Sequence, residues 1–163
     1  MAHVGLTVPD LDAAISWYEE VFGFSRIAGP YELVEPGQPV AEGLTDALGP
    51  AFGSARIAHL MCANGVGLEL FEFREPATIT PTDNYRYWEV GFSHVCFVDP
   101  DVDGLIDRIV DAGGRARTHE VRLVFPGSPY RWAFCEDPFG NVIELHSHGN
   151  EQTYANQEPS TSA

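Results

Sequence analysis

A chain of 163 residues suits one domain or two small repeated halves, and 44% apolar with 20% charged side chains is an ordinary globular composition. Its 24 acids against 9 bases give a formal charge of -15, which repels nucleic-acid phosphates and anionic lipid headgroups, so neither partner is expected. Every basic side chain is Arg; without Lys, Schiff-base chemistry, a P-loop lysine and a Ser–Lys pair are excluded.

The first predicted strand is 3–8. Asp10 and Asp12 follow, placed to cap a helix and meet the positive end of its dipole, and Leu11, Ile15, Tyr18 and Phe22 form one apolar stripe. Gly23 stops that helix. Strands are expected over 24–34, 54–62 and 66–73, with the Pro-, Gly- and acid-rich stretch 30–50 read as a loop or flap. Residues 74–89 read as a linker. A strand over 92–98 then leads to Asp101 and Asp103 at a second helix start, a stripe of Val102, Leu105, Ile106 and Ile109, and a stop at Gly113-Gly114. Strands over 115–118, 120–125, 130–136 and 142–147 follow with blurred boundaries, and the polar tail from Gly149 is expected to fray or lie on the surface. The N-terminus carries no basic segment followed by an apolar one, so no secretory signal is expected, and no apolar run approaches the roughly 20 residues of a membrane-spanning helix.

The two runs of elements copy one another. His3-Val4-Gly5-Leu6-Thr7-Val8-Pro9-Asp10-Leu11-Asp12 aligns without a gap on His94-Val95-Cys96-Phe97-Val98-Asp99-Pro100-Asp101-Val102-Asp103, 91 residues on, and the match continues to Gly23 and Gly114. Gly65-Val66-Gly67-Leu68-Glu69-Leu70 aligns on Gly140-Asn141-Val142-Ile143-Glu144-Leu145, 75 residues on, so the first half carries 16 extra residues, assigned to 30–50. The expected class is α+β, with tandem β-α-β-β-β modules over 1–73 and 90–148 and a tail over 149–163.

The repeat singles out His3, His94, Glu69 and Glu144. Strand alternation puts Leu68 and Leu70 on one face and Glu69 on the other, and Ile143 and Leu145 flank Glu144 in the same way. The apolar neighbours can pack on the helices, which turns the carboxylates to the open face. A lone strand Glu is ordinarily solvated, and a lone His ordinarily satisfies a local hydrogen bond. Four such residues at symmetry-related places argue for more, because paired carboxylates repel unless a cation lies between them. Two imidazoles and two carboxylates suit Zn, Ni, Co, Mn or Fe with positions left open for substrate. Cys62, Cys96 and Cys135 are odd in number and form no C-x-x-C, so they read as small core residues in a reducing, cytoplasmic compartment rather than as a disulfide or thiolate zinc framework.

The motifs H-V-G-L-T-V-P-D-L-D-A-A-I-S-W-Y, G-L-E-L-F, G-F-S-H-V-C-F and D-P-F-G-N-V-I-E-L resemble the vicinal oxygen chelate superfamily over residues 2–147. That group includes glyoxalase I, methylmalonyl-CoA epimerase, extradiol dioxygenases and bleomycin-resistance proteins. The resemblance implies tandem β-α-β-β-β repeats forming a curved mixed sheet around a metal-binding cleft, with His3 and His94 as first-strand ligands and Glu69 and Glu144 as last-strand ligands of a divalent ion. Carboxylates at both last-strand places resemble the glyoxalase I branch. The implied activity is a metal-dependent lyase, isomerase or epimerase that moves a proton next to a carbonyl of a small apolar or aromatic substrate. Glu69 or Glu144 is the base, with the pseudo-symmetry leaving the choice open, and the chain is expected to form a homodimer.

Two other readings use the same fold. An extradiol dioxygenase is disfavoured by Phe134, which stands where that branch has Tyr, by the absence of His between Arg122 and Phe134, and by Glu69, one ligand more than a facial triad needs. A metal-free binding or antibiotic-resistance protein usually lacks the ligand set. Secondary candidates are His146, which shares the face of Glu144 as a proton shuttle or hydrogen-bond partner, and Phe71, Phe73 and Cys96, which line an apolar pocket or pack in the core. Arg122 and Arg131 either grip a substrate anion or carry surface charge.

Overall fold

The computed structural model describes residues 1–35 and 39–155. The chain divides into two compact units, Met1–Asp83 and Asn84–Ala163. Each carries its own mixed sheet and helices, giving an α+β protein. No helix among the described residues is long and apolar enough to cross a membrane.

The first unit contains β1 (His3–Thr7), α1 (Leu11–Phe22), β2 (Ser25–Val34), α2 (Pro39–Leu48), β3 (Ser54–Met61) and β4 (Gly67–Glu75). Its strand order is β1-β4-β3-β2, with β1 parallel to β4 and the other pairs antiparallel. Asp10 caps α1 by accepting from the Ala13 N–H at 3.0 Å, and Gly23 ends it in the left-handed conformation, φ 69°. Leu11, Ala14, Ile15, Trp17, Tyr18 and Val21 are buried, as are Leu68 and Leu70 on the covered face of β4.

The second unit contains β5 (Val95–Val98), α3 (Val102–Asp111), β6 (Arg115–Ala116), β7 (Arg122–Leu123), β8 (Arg131–Glu136), β9 (Val142–His146) and α4 (Asn150–Tyr154). Its order is β5-β9-β8-β6, with β7 also pairing β8. Thus β6 and β7 together occupy the place of the continuous β2, broken in the middle. Asp101 caps α3 through the Gly104 N–H, and Val102, Leu105 and Ile109 are buried against Ile143 and Leu145's side of the sheet. Gly114 permits close helix–strand packing, since a Cβ there would stand 2.6 Å from the Glu136 carbonyl oxygen.

Several expectations change. The stretch 30–50 is not a plain loop: it holds the end of β2 and the helix α2, while residues 36–38 lie outside the described residues. Pro39 stands at the first helical position, where a missing N–H disturbs no helical bond, so its presence does not signal a loop. The strand expected over 92–98 begins only at Val95, leaving His94 just before it. The start of the tail does not fray: it forms α4, whose Thr153 is fully buried, and residues 156–163 lie outside the described residues. The linker 74–89 belongs partly to each unit. Thr78 bonds back to Phe73, whereas Asn84 donates to the Gly140 carbonyl.

Candidate functional site

In the first unit, β1 lies beside β4 with His3 opposite Gly67 and Gly5 opposite Glu69. Alternation therefore puts His3, Gly5 and Thr7 on the face of Glu69 and Phe71. His3 Nε2 lies 3.4 Å from Glu69 Oε2. From β3, His59 stands opposite Glu69 and brings Nδ1 to 3.8 Å from Oε1. Glu69 is recessed, and both rings beside it are open to solvent, His3 by half and His59 by a third.

In the second unit, Cys96 of β5 and Phe134 of β8 stand on either side of Glu144. His94 reaches back over the sheet so that Nε2 lies 3.0 Å from Glu144 Oε2. The Ser93 hydroxyl, 3.0 Å from Nδ1, holds the opposite edge of that ring. Phe134 meets the His94 ring edge-on at 5.3 Å, and Tyr87 stacks on it at 6.1 Å. His146 Nε2 lies 3.2 Å from Glu144 Oε1 and its ring is buried. Cys96, Glu144 and His146 present donor atoms all within 4.8 Å of one another.

Cys96 corrects the expectation of a buried core thiol, since the residue is exposed, as is part of Cys62, while Cys135 is buried. The Cys96 thiol itself is nevertheless crowded out of water, and with the facing Glu144 carboxylate this pushes it up to about 12, so it is neutral at pH 7. Burial also raises the Tyr87 hydroxyl, against the opposing pull of the Arg117 guanidinium. Arg117 is itself buried, held by Glu136 at 3.0 Å and lying 3.7 Å over the Tyr85 ring.

The remaining candidates sort by face. Phe71 and Phe73 stack at 5.6 Å and pack on Leu33, Phe52, Ala55 and Ile57. Beyond them a cavity of about 310 Å³ is lined by Thr7, Leu48, Phe52, Phe73, Pro76 and Ile79, among others. It shares the Glu69 face but does not include Glu69. Arg122 lies opposite Trp132 on the Glu144 face, exposed and 2.8 Å from Glu120. Arg131 faces the other way, with Ala133 and Cys135, and pairs with Asp103 at the start of α3. The first half repeats that brace with Arg56 and Asp12, at 3.0 Å. The two repeat offsets map one pair onto the other, so the repeat contained the signal that Arg131 braces a helix. Sequence reasoning missed His59 because its counterpart is Phe134; a search for repeated polar residues passes over it.

The donor chemistry fits a first-row divalent ion. Imidazole nitrogens and carboxylate oxygens bound at about 2.0–2.2 Å to one ion stand about 3 Å apart. The His3–Glu69 and His94–Glu144 pairs are already spaced that way, at 3.4 and 3.0 Å.

Comparison with known proteins agrees with this architecture. Residues 1–145 match the model of the Glyoxalase/Bleomycin resistance protein/Dioxygenase superfamily. The 2-epi-5-epi-valiolone epimerase of Actinomyces sp. is 30% identical over 146 residues, which cover 88% of this chain and 76% of the relative. A glyoxalase family protein from Bacillus cereus superposes with a TM-score of 0.70 at 26% identity, over 90% of this chain and 91% of that one. The fosfomycin resistance protein FosX from Listeria monocytogenes, in a mutant solved with Mn(II) and a dihydroxypropylphosphonic acid, shares the fold with a TM-score of 0.58 at 18% identity, over 95% and 94% of the two chains. A glyoxalase I mutant from Zea mays does so at 0.57 and 23% identity, over 92% of this chain and 46% of that one. With the duplicated sheets, the paired His and Glu and a family match spanning both halves, the chain belongs to the Glyoxalase/Bleomycin resistance protein/Dioxygenase superfamily.

Proposed function

We propose that the protein is a metal-dependent enzyme that transfers a proton next to a carbonyl, of the epimerase or isomerase type, on a small substrate. One observation supports this reading: within each half, one His and one Glu from equivalent strand places come together, at 3.4 Å and 3.0 Å. The candidate ligands are His3 and Glu69 within the first half and His94 and Glu144 within the second. A divalent ion held there supplies a Lewis acid that polarises a carbonyl oxygen.

The chain's own groups do the rest. Ser93 fixes the ring of His94, and a Glu carboxylate accepts the proton from the carbon beside the carbonyl and returns it. The stacked Phe71 and Phe73 offer an apolar surface on the Glu69 face. The epimerase relative supports epimerisation over a lyase step. Phe134 beside Glu144 supplies no hydroxyl, which keeps ring-cleaving oxygenation behind proton transfer.

The test is solvent exchange. The protein is incubated in D2O with 2-epi-5-epi-valiolone, with the metal-stripped protein and the metal-restored protein run beside it. Proton NMR should show metal-dependent loss of the C–H signal next to the ketone. Exchange that is equally fast after stripping, or absent from this ketone and from a panel of small 2-hydroxyketones, contradicts the reading.

A further inference from the structure

Glu144 has donors at both of its oxygens. Oε2 lies 3.0 Å from His94 Nε2, and Oε1 lies 3.2 Å from His146 Nε2. Cys96 stands beside Glu144, because the two residues are opposite one another in the parallel β5–β9 pair. Donor atoms of Cys96, Glu144 and His146 all lie within 4.8 Å of one another. All of these residues belong to the second unit.

Neither of the two flanking side chains is firmly held elsewhere. The Cys96 Sγ contact with the Phe97 carbonyl is a weak one, at 3.9 Å. The His146 ring is 4% exposed, and its Nδ1 is buried with no hydrogen-bond partner among the described residues. Buried polar atoms are ordinarily paired. This ring meets only the Glu144 carboxylate, so its one engaged nitrogen is the one turned into the cluster. The first half has no counterpart to the arrangement. The repeat offsets put Gly5 at the place of Cys96 and Phe71 at the place of His146, and neither has a donor side chain.

We infer that an ion carried by Glu144 is also bound by the Cys96 thiolate and by His146, which makes the second unit a sulfur-containing centre that favours thiophilic ions such as Zn(II) over Mn(II) or Mg(II). This rests on Glu144 being a metal ligand, as in the proposed function. Sulfur, nitrogen and oxygen donors bound to one Zn(II) stand about 3–4 Å apart, so the cluster has to tighten by roughly 1 Å. On binding, the sulfur–metal bond forms as the S–H bond breaks, and the thiol proton leaves to solvent. His146 gives the ion the Nε2 lone pair and keeps its single proton on Nδ1. Imidazole and carboxylate serve many divalent ions, whereas a thiolate tilts the choice toward soft ones.

Co(II) titration of the metal-stripped full chain tests this without any substrate. Sulfur bound to Co(II) gives an intense charge-transfer absorption in the near ultraviolet that imidazole and carboxylate ligands do not give. The parent chain should show that band. Cys96→Ser keeps the shape and removes the sulfur; it should lose the band while melting like the parent, and its preference for Zn(II) over Mn(II) should fall at least tenfold. If the serine variant does not fold, Cys96→Gly, which installs the first half's residue, takes its place. His146→Phe, likewise the first half's residue, should weaken Zn(II) binding at least tenfold. A parent chain that binds Co(II) without the band, or a band that survives the loss of Cys96, overturns the thiolate ligand and leaves the His–Glu reading standing. Unchanged Zn(II) affinity in a His146→Phe protein that melts like the parent overturns the three-donor set. A parent chain that binds no divalent ion overturns the metal reading itself, and this inference with it.

Discussion

The two halves share a scaffold and differ in what surrounds the same two residues. In the first, the His–Glu pair is open: His3 is half exposed, and His59 flanks Glu69 without a hydrogen bond. In the second, Ser93, Phe134 and Tyr87 hold His94, and the buried His146 holds Glu144. A duplicated sheet can thus keep the same His and Glu at equivalent places while the side chains that surround them diverge. The face that packs on the helices has diverged less. Leu70 and Leu145 are both fully buried at equivalent places, and so are Ala58 and Ala133.

The largest stability difference is expected where the halves depart most. Glu136 of β8 pairs with the buried Arg117 at 3.0 Å, while the equivalent place in β3 is Met61. Making the second half like the first with Glu136→Met leaves Arg117 buried without its carboxylate. This should cost roughly 3–5 kcal/mol in denaturant unfolding. A loss below about 1 kcal/mol would mean that the pair contributes little and that this difference between the halves is incidental.

The smallest effect belongs to a feature the halves share, the Arg brace at the helix start. The hydrogen bond from Arg56 holds the Asp12 carboxyl below its ordinary 3.8. A lowered folded pKa means the brace stabilises the fold above that value, and the contribution disappears as pH falls through the lowered one. Asp12→Asn should therefore be slightly less stable than the parent at neutral pH, and the two unfolding curves should converge in acid below pH 3.8. A gap that stays constant into strong acid would show that the brace does not act through charge.

Much of this was legible because one sequence contains two readings of the same design. The pair of offsets located β1 and β4 with their counterparts β5 and β9, the helices α1 and α3, and all four proposed ligands, since a residue repeated at both places stands out from background. What repetition could not expose was asymmetry: His59 is equivalent to Phe134, Cys96 to Gly5, and His146 to Phe71. His146 was found only through its spacing from Glu144, and nothing in that spacing showed its burial under α4. Composition misled in two stretches. Pro39 and the glycine and acids around it suggested a loop where α2 forms, and the polar tail hid the buried Thr153. Arg131 looked like a free cation because its partner Asp103 lies 28 residues away, on a helix.

The central claim is that the His–Glu pairs are metal ligands, and metal analysis tests it most directly. The chain, loaded with Zn(II) and dialysed, should retain the ion, and His3→Ala and His94→Ala should each lose at least tenfold in affinity while melting like the parent. Retention of the ion by both variants, or none bound by the parent chain, would contradict the account.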